Sequence, residues 1–265
     1  LRNSSAASDV YKRQDLVGDQ IDLDNIPFYG LAEVTVGGRS CVISQTGFSG
    51  ESGYEIYLRN ATLYADDMWD AVLEAGKKHN LMVIAPAHHR RIQAGILSWG
   101  QDLDHEHNPF QCNLGYQVSL SGKGEWEKKG DYIGKQALEK MKADLKDGHK
   151  PYKLQLVGFE IGGKPIDEYA PDFWLVSPGD GGDPCGFITS PWYHPEKGKN
   201  IAMGYIPYDG TLNSNGFPKW ELGKKYKVHL PDIYADEPGV PVDAVTVDVP
   251  FTESFNANTR EVVKG

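Results

Sequence analysis

Apolar and polar positions alternate over Val34-Thr-Val-Gly-Gly-Arg-Ser-Cys-Val-Ile43, with two glycines at the centre. That pattern predicts a β-hairpin turning at Gly37-Gly38. Glycines at 47, 50 and 53 then form a loop that carries Phe48. The loop feeds Gly53-Tyr-Glu-Ile-Tyr-Leu58, a strand by its aromatic and β-branched content. Period two puts Glu55 and Tyr57 on one face of that strand and Tyr54 and Ile56 on the other. A helix over roughly 62–79 follows, with Met68, Trp69, Val72 and Leu73 as its buried stripe. Pro86 opens a second predicted helix, running through Ile92 to about Leu97. A third spans about 133–143, with Ile133, Ala137, Leu138 and Met141 on one face.

The pattern changes after Gly148-His-Lys-Pro151. Short β-rich runs take over: Leu154 to Ile161, Phe173 to Val176, Gly186 to Thr189, Ile201 to Ile206, Tyr226 to Leu230 and Val242 to Val249. Dense Gly and Pro between them predict a small barrel or sandwich. Gly179-Asp-Gly-Gly-Asp-Pro184 reads as a surface turn. A domain boundary is expected near 150.

Composition narrows the classes. The chain has 265 residues, 40% hydrophobic, enough for one large or two smaller cores. The 27 basic and 37 acidic residues give a net charge of −10, and no basic patch stands out. Nucleic acid is therefore not an expected partner. No apolar stretch is long enough for a membrane span, and no membrane partner is expected. Cys41, Cys112 and Cys185 are odd in number and far apart, which fits reduced thiols in a cytoplasmic protein. Residues 1–14, beginning with Leu rather than Met, read as a non-native tail, and residues 257–265 as a second tail.

Several side chains invite chemistry. Glu55 is either a solvated strand carboxylate or an acceptor for paired ring donors. Trp99, in Ile96-Leu-Ser-Trp-Gly-Gln-Asp-Leu-Asp104, is either core or ligand contact. Asp102 and Asp104 read by default as turn and cap residues, with an acid–base pair as the alternative. His88-His89 and His105-Glu-His107 do not predict a metal site, because adjacent helical residues diverge by about 100° and Asn108-Pro109 implies a turn. Nothing in the sequence near Cys112 activates it as a nucleophile.

Gln45-Thr-Gly-Phe-Ser-Gly-Glu-Ser-Gly-Tyr-Glu-Ile-Tyr57 resembles the RTGYTGEDGYEIY signature of the aminomethyltransferase family, the glycine-cleavage T-proteins and their relatives. Further matches follow in order. Ile92 to Asp104 resembles LEAGLxLYGxDLD, and Asn108-Pro-Phe110 with Leu114-Gly115 resembles TPxEAGLG. Tyr132 to Leu138 resembles FIGKEAL. Gly186 to Ser190, Asn200 to Tyr205 and Pro250-Phe251 resemble the family's second domain.

The resemblance implies an α+β protein: a folate-binding mixed α/β domain over 15–149, then a small C-terminal antiparallel β-barrel over 150–256. It implies a tetrahydrofolate-dependent one-carbon transferase acting on a small-molecule amine or sulfonium donor. A lipoyl carrier protein is a candidate partner. Glu55 falls where the family's glutamate grips the pterin, and Phe48 where an aromatic packs on it. Tyr57 and Trp99 fall where side chains line the site.

Three departures accompany the match. Ala87 stands where T-proteins carry an arginine that helps hold folate, and Trp99 replaces the usual tyrosine. The family's catalytic aspartate belongs to a part of the fold that precedes this sequence, so no general acid or base is assigned. The Leu-Ser-Trp-Gly-Gln-Asp wording resembles the dimethylsulfoniopropionate demethylase branch. The alternatives are a non-catalytic folate-binding module and the C-terminal half of a dimethylglycine or sarcosine dehydrogenase.

Overall fold

The structure, a computed structural model, describes residues 15–51, 53–84, 88–120 and 131–252. Pro86, Ala87 and both expected tails lie outside these residues. The chain divides into two compact units, with the change between Arg91 and Ile92.

The first unit is built on a three-stranded antiparallel sheet of β1 (Leu31–Val36), β2 (Arg39–Ser44) and β3 (Glu55–Leu58). The β1–β2 turn lies where the glycine pair predicts it, and Gly37 and Gly38 both take positive φ, as a tight two-residue hairpin turn requires. Helix α1 (Ala61–Gly76) follows. One sheet face is apolar: Val34, Val36, Cys41, Ile43, Tyr54, Ile56 and Leu58 pack with Met68 and Val72 of α1. The other face is left open, as an antiparallel sheet permits. Trp69, expected in the buried stripe, is instead exposed. It follows Met68 by one residue, so it lies about 100° around the helix from the Met68–Val72 seam.

Helix α2 (His88–Gln93) ends earlier than the expected Leu97. It stops before Gly95, whose φ of +69° leaves the helical region. Helix α3 (Lys135–Lys146) buries Leu138, Met141 and Leu145 against Phe110, Tyr152 and Tyr208. Ile133, expected on that face, is fully exposed. Gly134 turns the chain at φ +89° before the helix begins, so Ile133 lies off its screw.

Six strands form a closed antiparallel barrel in the order β4-β7-β6-β5-β8-β9. They are β4 (Leu154–Ile161), β5 (Trp174–Pro178), β6 (Gly186–His194), β7 (Lys199–Pro207), β8 (Lys225–Val228) and β9 (Val242–Val247). The fold is thus α+β with a small barrel. Val157, Trp174, Ile188, Ala202, Tyr226, Val228 and Ala244 are among the side chains that fill its interior. Ile201, Met203 and Tyr205 of β7 point outward and pack with Ile92, Leu97 and Phe251. Strand β7 is therefore buried on both faces, which explains why its apolar run is nearly unbroken. Two outer clusters tie residues 92–145 to the barrel strands. The compact units accordingly divide ahead of 150, where the sequence pattern changes.

Candidate functional site

The open sheet face of the first unit carries the candidate carboxylate. Register sets Glu55 opposite Ser44 and Tyr57 opposite Val42, with Ser44 in turn opposite Leu31 of β1. Ile56 and Leu58 point to the core while Glu55 and Tyr57 are exposed, as period two predicts. Tyr54, on the core side, donates to the Leu23 carbonyl at 2.7 Å and pins the loop end.

Two hydroxyls orient Glu55. Tyr57 donates to Oε2 at 2.9 Å, and Thr46 donates to the same oxygen. The Thr46 hydroxyl also lies 3.3 Å from the Ser44 hydroxyl, which donates to the Gly30 carbonyl. Oε1 has no hydrogen bond to any described residue. The carboxylate is held by one oxygen and presents the other. A free oxygen of a charged acceptor suits a ligand N–H. Thr46 was not singled out from sequence. Its place one turn of the ladder beyond Ser44, facing the glutamate across the loop, is what brings it in.

The loop between β2 and β3 is less constrained than three glycines imply. Gly50 takes φ +75° and needs its freedom. A methyl group at Gly47 would meet nothing within 4 Å, and one at Gly53 only ordinary contacts. Phe48 is 53% exposed and Tyr57 54% exposed, so both offer ring surface to solvent.

Trp99 belongs to the second unit and is 61% exposed. It tips a tight turn in which Asp102 N–H donates to the Ser98 carbonyl and Gly100 N–H to the Leu103 carbonyl, both at 2.8 Å. Its ring meets His105 edge-on at 4.9 Å. Trp99 is thus a surface aromatic and not a core residue.

Asp102 and Asp104 do act as turn and cap residues. Asp102 Oδ2 accepts from the Ser98 N–H at 2.8 Å, and Asp104 Oδ1 from the Glu106 N–H at 2.8 Å. That backbone bond, with His107 next in weight, holds the Asp104 carboxyl below the usual carboxylate range. Asp102 also does more. It is 1% exposed, and Oδ1 lies 2.5 Å from the Thr189 hydroxyl and 2.6 Å from that of Ser190. The visible clue was a Thr-Ser pair interrupting an otherwise apolar strand. His107 binds Asp104 at 2.7 Å while His105 meets Trp99, so the two histidines are engaged separately. Cys112 is buried, with its thiol 3.4 Å from the Tyr205 hydroxyl. Burial pushes its pKa up, which disfavours the nucleophilic thiolate.

A compact α+β unit joined in sequence to a six-stranded antiparallel barrel defines the structural class. Comparison with known proteins agrees. Residues 9–122 match the family described as the GCVT N-terminal domain, a match that starts inside the segment set aside as a tail. An aminomethyltransferase from Halothermothrix orenii is 31% identical over 191 residues, 71% of this chain and 48% of that protein. One from Alkaliphilus oremlandii is 32% identical over 202 residues, 74% of this chain and 48% of that protein. The chain therefore spans about half the length of these curated relatives. A crystal structure of the glycine cleavage system aminomethyltransferase T from Bartonella henselae superimposes with a TM-score of 0.63. It covers 93% of this chain and 57% of that one at 21% identity, a likeness of fold. The chain belongs to the aminomethyltransferase, or glycine cleavage T-protein, family.

Proposed function

We propose that this chain binds tetrahydrofolate and serves a one-carbon transferase that moves a one-carbon unit from a small amine or sulfonium donor to the folate: a methyl group, or the methylene of an aminomethyl group whose nitrogen leaves as ammonia. One observation carries the reading. Glu55 stands on an open sheet face, with Oε2 held by Tyr57 and Thr46 and Oε1 uncommitted. When bound, tetrahydrofolate supplies the nitrogen that accepts the carbon unit. Glu55 Oε1 accepts an N–H of the pterin edge. Phe48, exposed on the neighbouring loop, supplies a flat apolar contact. Tyr57 lines the same face and also aims the carboxylate. Trp99, exposed on the second unit, is a separate candidate for an aromatic contact with folate. The protein contributes orientation more than covalent chemistry.

A bidentate grip meets an obstacle in the structure. Oε2 already takes two hydroxyls, so a second ligand donor there requires Tyr57 or Thr46 to yield. Ala87, where T-proteins carry a folate-holding arginine, lies outside the described residues. A lipoyl carrier protein is the proposed partner for an aminomethyl donor, and the cytoplasm the proposed location. No helix among the described residues is long and apolar enough to cross a membrane.

The test is a transfer assay. The chain is mixed with tetrahydrofolate and, in separate arms, an aminomethyl-lipoyl carrier, sarcosine and dimethylsulfoniopropionate. Methylene- or methyltetrahydrofolate formed in one arm supports the transferase and names its donor. Folate binding by the chain, with no product in any arm when the full-length protein is assayed, refutes the transferase and leaves a binding module. Absence of folate binding refutes the reading altogether.

A further inference from the structure

Strand β6 has an irregularity where it meets the turn carrying Trp99. Ile188 pairs with Gly204 and Ser190 with Met203, so Thr189 is an extra residue without a ladder partner. Consecutive strand residues normally point to opposite faces. Here the bulge lets two consecutive hydroxyls, Thr189 and Ser190, reach the same Asp102 oxygen at 2.5 and 2.6 Å. The Thr189 carbonyl accepts from Gln101 Nε2 at 2.7 Å. The same amide reaches the Ala170 carbonyl at 3.3 Å. Tyr205 of β7 donates to the Asp102 carbonyl at 2.6 Å. Asp102 Oδ2 closes the turn on Ser98. The turn is therefore plugged into the barrel by two adjacent side chains, while Trp99, three residues before Asp102, is left facing solvent. Such bulges re-aim side chains and gather beside functional sites.

We propose that Asp102 is a positioning residue: seated in the β6 bulge, it fixes the Ser98–Asp102 turn so that Trp99 is presented rigidly as a ligand-facing aromatic. The proposal rests on the reading that Trp99 contacts the bound folate. A carboxylate suits the task because it accepts three donors at once: two hydroxyls on one oxygen and an amide on the other. An asparagine in its place offers a single oxygen and would set an N–H₂ against hydroxyls or a backbone N–H. An aromatic side chain already held in its binding orientation loses less entropy when the ligand arrives.

The test is a double-mutant cycle on the full chain with 5-formyltetrahydrofolate as probe. Binding is measured by calorimetry and stability by thermal unfolding, for wild type, Asp102→Asn, Trp99→Ala and the double variant. Ser190→Ala, alone and with Trp99→Ala, replaces Asp102→Asn if that variant does not fold. The expected result is a roughly three- to tenfold weaker Kd for Trp99→Ala, a similar loss for Asp102→Asn, and no further loss in the double variant. Melting temperature should fall for Asp102→Asn in either background, because the clamp is lost in both. Additive losses in Kd, or an unchanged Kd for Asp102→Asn beside a weakened Trp99→Ala, overturn the positioning role alone. An unchanged Kd for Trp99→Ala overturns the reading that Trp99 meets the ligand, and the proposal with it.

Discussion

Replacing Glu55 by glutamine keeps the shape of the side chain and removes its charge. The size of the resulting loss depends on how many carboxylate oxygens the ligand uses. Oε2 already accepts Tyr57 at 2.9 Å and Thr46 as well, whereas Oε1 is open. If the ligand takes Oε1 alone, one hydrogen bond to a charged acceptor is lost. Such bonds contribute about 1.5–3 kcal/mol, or about tenfold to about 150-fold in Kd at about 1.4 kcal/mol per decade. A bidentate grip, with Tyr57 displaced, would cost up to about 5 kcal/mol, more than a thousandfold. The structure as it stands favours the smaller figure. Calorimetric titration of 5-formyltetrahydrofolate into wild type, Glu55→Gln and Tyr57→Phe separates the two modes. A loss within the single-bond range, with Tyr57→Phe weakening binding severalfold, supports the oriented one-oxygen contact. A thousandfold loss together with tighter binding by Tyr57→Phe would mean that the tyrosine yields Oε2 to the ligand. Affinity within twofold of wild type for a folded Glu55→Gln variant refutes the anchor.

Two further predictions concern the barrel. A methyl group at Gly186 would sit 2.0 Å from the Tyr205 carbonyl oxygen of the neighbouring strand; Gly186→Ala should destabilise the barrel by at least about 1–3 kcal/mol, read as a lower denaturant midpoint, and an unchanged midpoint would show that the strands can part there. His194 is 2% exposed and neither ring nitrogen has a hydrogen-bond partner among the described residues; burial, with Lys197 next, lowers its pKa below the ordinary imidazole value. The neutral ring is thus favoured in the folded state, so its contribution is intact above about pH 6.5 and is lost as pH falls through the lower folded value. Denaturation curves at pH 7.5 and pH 5 should show a smaller acid loss for His194→Phe than for wild type; equal losses would clear His194 of that role.

The strands were legible because their patterns answer to local rules, while the site depends on pairings that local rules do not reach. Alternation found β3 and sorted Glu55 from Ile56 correctly, since one face of a three-stranded sheet is buried and the other open. The Gly37-Gly38 turn was equally local. Strand β6, by contrast, was expected to end at Thr189, yet it runs to His194. Pro191 is tolerated since β5 pairs only with Gly186–Ile188, leaving Pro191 with a strand partner, β7, on one side only. The Thr189 and Ser190 hydroxyls there meet Asp102, 87 residues away from Thr189 in sequence. The same holds at the carboxylate. Sequence periodicity put Glu55 on the open face, but only the pairing of Ser44 with Glu55 shows why Thr46 can reach it. In both places an acid is aimed at least in part by hydroxyls that spacing alone does not connect to it, Thr46 at Glu55 and Thr189 with Ser190 at Asp102. A single acidic residue in a motif therefore underdetermines its role: Glu55 and Asp102 look alike in the sequence. One is exposed with an oxygen to offer, and the other is buried with both oxygens engaged. That difference makes Glu55 the candidate ligand contact and Asp102 the support.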